Sequence, residues 1–443
     1  MTSPKRLMLL AAVTTAALGG LGHAQTDWKA QLGDYKGKTI RILMIQDPWV
    51  DAFGEIDKEF ETLTGAKVTV DAFGYDQTHA KEVLVGTSKS SDYDVVVLDS
   101  PWVGEFAEGG FVENLNAYIT KDAKIVNFKD FVPSFQTVSN WKGETVGMPF
   151  GAYFVMMHYR KDLLAKAGIA VPKNIEEFQA ASAKLTTGGM FGTAFNNQRG
   201  GAVGQAYFEF IYNFGGKPFK SMYPGSKAPY SDMTPLLNSP QSIAVVKFFK
   251  DMLKNQPPGA ENIAWDERST NFATGKVAMI NSWSVTTPGF TDPTKSNITD
   301  KFATTLYLAK KGVKAVPPLG GWVMGINKYS TQKQAAWDYI KWFTSAETHK
   351  KFVLAGGPPS RLSTLADPEV KAKQPWVGVL SASQKLSYAE CRPRIPESFQ
   401  VIDTIGTYIS KALSGDLTVE DAMNQANAEV GKLLKSKGYK VSL

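Results

Sequence analysis

The chain predicts an α/β fold built on parallel sheets and long enough for two domains. Three observations carry this. Short apolar runs of strand length alternate with segments of helical period, the pattern of a sheet covered on both faces. The alternation begins at Thr39 and begins again after Tyr153. Without an N-terminal export signal about 420 residues remain, room for two domains of ordinary size.

The first residues read as that signal. Lys5 and Arg6 form a basic start, Leu7 to Leu21 an apolar core, and Gly22, His23 and Ala24 supply small residues before a cleavage site. A membrane anchor needs about 20 apolar residues. This run is shorter and is broken by Thr14, Thr15, Gly19 and Gly20. Cleavage after Ala24 is expected, giving residues 1–24 as signal peptide and Gln25 as the mature start. No cysteine stands near that site to take a lipid, so a free periplasmic protein is expected.

Residues 39–45 (TIRILMI) are a buried strand, and Trp49 to Thr64 is a helix stopped by Gly65. Residues 66–71 form the next strand, a helix runs from Gln77 to Val85, and residues 93–98 (YDVVVL) form a third strand. After Tyr153 come helices near 203–214 and 240–254, a helix over 266–274, and a strand over 275–284. A further strand lies in 317–327, then a helix over 331–343. The tail from Glu397 to Lys437 is helical, with Thr418 opening its last helix.

The formal net charge is +7, and about +5 without the signal. With no dense basic block this argues against nucleic-acid binding. One cysteine, Cys391, cannot form an intramolecular disulfide and is expected buried. His79, His158 and His349 are widely spaced, and neither a G-x-S-x-G nor an H-E-x-x-H pattern occurs. No catalysis, metal or cofactor is expected.

Ligand-contacting loops of parallel sheets sit at the carboxyl ends of strands. The first strand ends in Asp47, Pro48 and Trp49, the third in Asp99, Pro101 and Trp102. A carboxylate accepts two sugar hydroxyls in charge-assisted hydrogen bonds. An indole offers an apolar face to a sugar ring and an N–H at its edge. Both aspartates also suit helix caps, and both tryptophans suit core packing.

Four phrases carry a family resemblance: residues 149–164 (PFGAYFVMMHYRKDLL), the turn and helix opened by Pro172, residues 272–283 (FATGKVAMINSW) and residues 317–327 (PPLGGWVMGIN). In this order and spacing they resemble the extracellular solute-binding proteins of ABC importers, the maltose-binding-like family 1 group. The resemblance implies a two-lobed periplasmic binding protein fold (type II) with the ligand cleft between the lobes. Crossings fall near 148–153, 282–286 and 328–332, so residues 28–149 plus 286–328 make the first lobe and 150–285 plus 329–443 the second. It further implies a monomer that captures a carbohydrate, a sugar or a polyol, and delivers it to a membrane permease.

By the same resemblance Tyr153 and Trp283 stand at cleft positions of the crossing strands, Gly320, Gly321 and Trp322 form a cleft loop, and Arg361 reaches in from the second lobe. Tyr207, Glu209 and the turn at Asn196, Asn197 and Gln198 are lesser candidates. Pro48 and Trp49 follow the first-loop aspartate where many relatives carry a charge, and Tyr153 stands where some oligosaccharide binders have a carboxylate, which leaves the solute open. A polyamine or other cation is one alternative, a secreted glycoside hydrolase a more distant one.

Overall fold

The computed structural model describes residues 26–442. The export signal read over residues 1–24 lies outside the described residues. Ten strands, β1 (Thr39–Ile45), β2 (Lys67–Phe73), β3 (Val95–Asp99), β4 (Asn140–Trp141), β5 (Glu144–Thr145), β6 (Met148–Arg160), β7 (Phe191–Thr193), β8 (Val277–Trp283), β9 (Phe302–Thr305) and β10 (Leu319–Ile326), are interleaved with helices. The main sheet runs β2-β1-β3-β10-β6-β8-β7, with β9 added beside β6, while β4 and β5 form a small hairpin.

The first three strands pair in parallel. All five residues of β3 are buried, as an interior parallel strand requires. The helix Val50–Thr64 covers this sheet with Phe53, Ile56 and Phe60 and ends at Gly65, whose φ of 71° closes the last turn in the left-handed conformation.

β6 joins the two lobes. Its first half, from Met148 to Phe154, pairs antiparallel with β10 in the first lobe. Its second half, from Val155 to Tyr159, pairs antiparallel with β8 in the other lobe, and β9 pairs alongside. All but one of its 13 residues are buried, so its continuous apolar sequence serves two sheets in succession.

The other expected lobe boundaries differ from the packing. Residues 286–328 were expected in the first lobe. Instead Phe290 packs edge-on against Phe272 and Phe302 of the second lobe, and β9 pairs with the far half of β6. The chain returns to the first lobe at Leu319, opposite Phe154. Residues 329–443 were expected in the second lobe. Yet the helices Lys333–Phe343 and Ala346–Leu354 pack on Val50–Thr64: Phe343 stacks on Phe53 at 4.5 Å, Tyr339 donates to Asp57 at 2.8 Å, and Lys351 pairs with Glu59 at 2.9 Å. The tail then returns to the second lobe, where Ser398–Ser414 lies so close to Gly201–Ile211 that a Cβ on Gly204 would meet the Ile402 carbonyl at 2.1 Å. Periodicity specifies an apolar face but not which lobe covers it.

Candidate ligand-binding cleft

Strand ends of the first lobe and helix starts of the second meet around β6. At the end of β1, Asp47 makes no side-chain cap to the following helix. Its Oδ2 accepts the Tyr153 hydroxyl at 2.9 Å, and that hydroxyl in turn accepts the indole N–H of Trp49. Burial pushes the Asp47 carboxyl up to about 7; the hydrogen bonds from Tyr153 and Trp49 oppose the shift, and the charges of Asp266 and Asp99 add to it. Burial and the adjacent Asp47 likewise raise the Tyr153 phenol well above its ordinary range.

At the end of β3, Asp99 is buried and fully engaged. Oδ1 accepts the Ser100 backbone N–H at 2.7 Å, and Oδ2 accepts the Tyr75 hydroxyl at 2.8 Å. Arg392 of the second lobe closes a fork on both oxygens, at 3.0 and 3.1 Å. The same guanidinium donates to Gln205 at 3.0 Å and to the Ser100 hydroxyl at 2.8 Å, and lies 5.7 Å from the Trp283 ring. Burial opposes its charge, but Asp99, Tyr75 and Cys391 together outweigh burial and hold Arg392 above the ordinary arginine range. Arg392 is thus a direct charge-assisted bond between the lobes.

Aromatic rings enclose this polar line. Tyr75 lies 4.9 Å from Trp102 and 5.6 Å from Trp265, and Trp322 meets Trp102 edge-on at 5.5 Å. Tyr75 and the two tryptophans of β10 and the β3 loop come from the first lobe; Trp265 opens the helix Trp265–Ala273 of the second. Gly320 and Gly321 permit the approach of the strands. A Cβ on Gly320 would sit 2.9 Å from Trp283, and one on Gly321, at φ 128°, would meet the Gly151 carbonyl at 2.0 Å.

A family model of bacterial extracellular solute-binding proteins matches residues 47–350. The chain belongs to this family. A solved solute-binding protein of an ABC transporter from Agrobacterium radiobacter K84, in complex with ribitol, is similar to this solute-binding protein with 31% identity and a TM-score of 0.85, over 90% of this chain and 100% of that one. It is also similar, at 26% identity over 91% of both chains, to a protein of Sinorhizobium fredii named "Probable amino-acid ABC transporter periplasmic-binding protein y4oP". The mannitol-binding protein of Pseudomonas aeruginosa is 27% identical over 70% of this chain and 74% of its own length. The fold is that of the two-lobed, maltose-binding type, as the sequence phrases imply.

Among the expected site residues of this solute-binding protein, the structure brings Asp47, Asp99, Trp102, Tyr153, Trp283, Gly320, Gly321 and Trp322 to one region. Trp49 contributes only its N–H. Its ring is buried against Phe53 and Phe150 at 5.5 and 5.1 Å and belongs to the core.

Arg361 stands apart from the cleft. It is fully buried, lies 4.0 Å over the Phe131 ring, and spends its donors on Asp130 and on the carbonyls of Thr344 and Val126. Its role in the structure is to fasten the 360s loop to residues 126–131.

Arg392 takes the place foreseen for Arg361. It lies in a loop (residues 391–394, CRPR) that has neither strand nor helix period, so sequence reasoning gave it no place. Tyr75 and Gln205 were also missed. Asp266 was read only as a helix start and Trp265 was missed, although together they repeat the indole-and-carboxylate pairing of the strand-end loops.

Proposed function

We propose that this protein captures a neutral polyhydroxylated solute, a polyol or small sugar, between its lobes and delivers it to an ABC permease, acting as an exported periplasmic monomer without bond chemistry. One observation carries the reading: carboxylates, a guanidinium, phenols and indoles from both lobes converge on the end of β1, the end of β3 and the middle of β6. Carboxylates and guanidinium order hydroxyls, and the indoles face C–H surfaces. The ribitol-bound relative and the mannitol-binding relative support the same solute class.

The electrostatics favour a neutral solute over a polyamine, because Arg392 places a fixed positive charge against Asp99 inside the cleft. A retaining or inverting glycosidase needs two carboxyls free to flank one bond. Asp99 is instead held in a fork by Arg392.

The test is a thermal-shift panel on mature protein refolded to strip carried-over solute, covering alditols, monosaccharides, disaccharides, polyamines and amino acids. A solute at about 1,000 times its dissociation constant adds roughly 4 kcal/mol and moves the midpoint by several degrees. A shift confined to alditols or sugars, with the solute recovered unchanged after long incubation, is the expected result. A shift only with an amino acid or a polyamine overturns the solute class; release of product overturns the absence of chemistry.

A further inference from the structure

On elements that also carry cleft residues, the second lobe holds a second, buried polar layer that the interlobe contacts do not use. Glu209, Arg268, Asn281 and Tyr307 are 2, 1, 2 and 1% exposed. Both oxygens of Glu209, Nη2 of Arg268, Oδ1 of Asn281 and the Tyr307 hydroxyl have no hydrogen-bond partner. Glu209 and Arg268 face each other at 3.6 Å, too far for a hydrogen bond.

The layer is registered to the cleft by three elements. On Gly201–Ile211, Glu209 lies one turn after Gln205, which holds Arg392. On Trp265–Ala273, Arg268 lies one turn after Trp265, which packs on Tyr75. On β8, Asn281 shares a face with Trp283 two residues on. Each element therefore carries a cleft residue and, two to four positions from it, a buried polar group without a hydrogen-bond partner.

An ion pair kept only for stability closes its hydrogen bonds, because a buried charge left open is strongly unfavourable. Glu209 is pushed up by burial despite the opposing charges of Arg268 and Arg392, and Arg268 is pushed down by burial despite Glu209.

Resting on the polyol reading above, we propose that Glu209, Arg268, Asn281 and Tyr307 form an inner subsite that receives the hydroxyl-bearing end of the solute. The carboxylate and the amide oxygen accept, the guanidinium donates, and the phenol does either. Opposite charges at 3.6 Å leave the layer close to neutral, so it favours an uncharged terminal diol over an acid or an amine at that end.

The experiment titrates the mature protein and its Glu209→Gln variant calorimetrically with ribitol and D-mannitol, and with the analogue of each that lacks both terminal hydroxyls. Expected is a loss of about tenfold or more in affinity for the parent alditol that binds, and a change within about twofold for its dideoxy analogue. Equal losses for both compounds, or none for either, overturn the subsite while leaving the polyol reading intact. If the unsubstituted protein binds neither alditol, the subsite for an alditol end is overturned, while the wider reading of a sugar or polyol is decided by the thermal-shift panel. Should Glu209→Gln not fold, Tyr307→Phe, which removes one hydroxyl, carries the same comparison with the same outcomes.

Discussion

Asp47 illustrates how one side chain can sit between core and site. Its carboxyl is held at about 7 chiefly by burial, whereas an unfolded aspartate releases its proton near pH 4. Between those values the folded state binds more protons than the unfolded one, so this residue makes stability fall as pH rises from about 4 to 7 and has no further effect above. Asp57, raised to about 7 by burial, acts with the same sign, so the informative quantity is a difference. Asp47→Asn should be more stable relative to the parent at pH 7.5 than at pH 4.5, measured as the gap between thermal midpoints at the two values. Parallel midpoint curves would show that Asp47 titrates normally and that the end of β1 is more open to water than the structure indicates. The carboxylate-and-indole kit itself was legible in the sequence, because residue types at strand ends are visible without coordinates. Arg392 was not, because a guanidinium bridging to Asp99 across 293 positions leaves no local trace.

At the scale of elements, the strands show why some structure is readable and some is not. β1 was expected at Thr39 and found there, since a short apolar run between polar flanks has one solution. The helix expected from Trp49 begins at Val50. The lobe assignments of 286–328 and 329–443 failed in part, around Phe290 and β9 and at the helices Lys333–Phe343 and Ala346–Leu354, because an apolar helix face such as that of Lys333–Phe343 fits any apolar partner, and only the three-dimensional surface of Val50–Thr64 decides. β10 adds a constraint of backbone rather than of pattern. Its register with β6 shifts between Trp322 and Val323, and Gly321 sits beside that irregularity at φ 128° against the Gly151 carbonyl. Gly321→Ala should cost at least about 2 kcal/mol, from the positive φ and the backbone clash together. Denaturant unfolding of the variant measures this. A loss below about 0.5 kcal/mol would mean that β10 relaxes freely there and that the glycine is not what lets Trp322 reach Trp102.

For the molecule as a whole, the proposed capture and delivery depend on the balance between open and closed lobes. Solute favours the closed form only to the extent that it binds that form better. Reversing a balance of 1:99 requires about 5.5 kcal/mol of preference. The structure shows contacts that tie the lobes together: Arg392 holds Asp99, Ser100 and Gln205 at once, and His79 of the first lobe stacks on Phe399 of the second at 4.4 Å. A hydrogen bond to a charged group contributes roughly 1.5–3 kcal/mol, so losing the fork should shift the balance toward open by about one to two powers of ten. Arg392→Met keeps the bulk of the stem and removes the donors. Small-angle scattering should then give a larger radius of gyration for the solute-free variant than for the solute-free parent. At saturating solute the two radii should converge, with the variant needing at least about tenfold more solute to reach half-saturation. Equal radii without solute, combined with an unchanged half-saturation point, would show that Arg392 neither latches the lobes nor orders the solute. Closure would then rest on the remaining contacts, among them Tyr75 with Trp265, His79 with Phe399 and Arg394 with the carbonyls of Thr137, Val138 and Asn140.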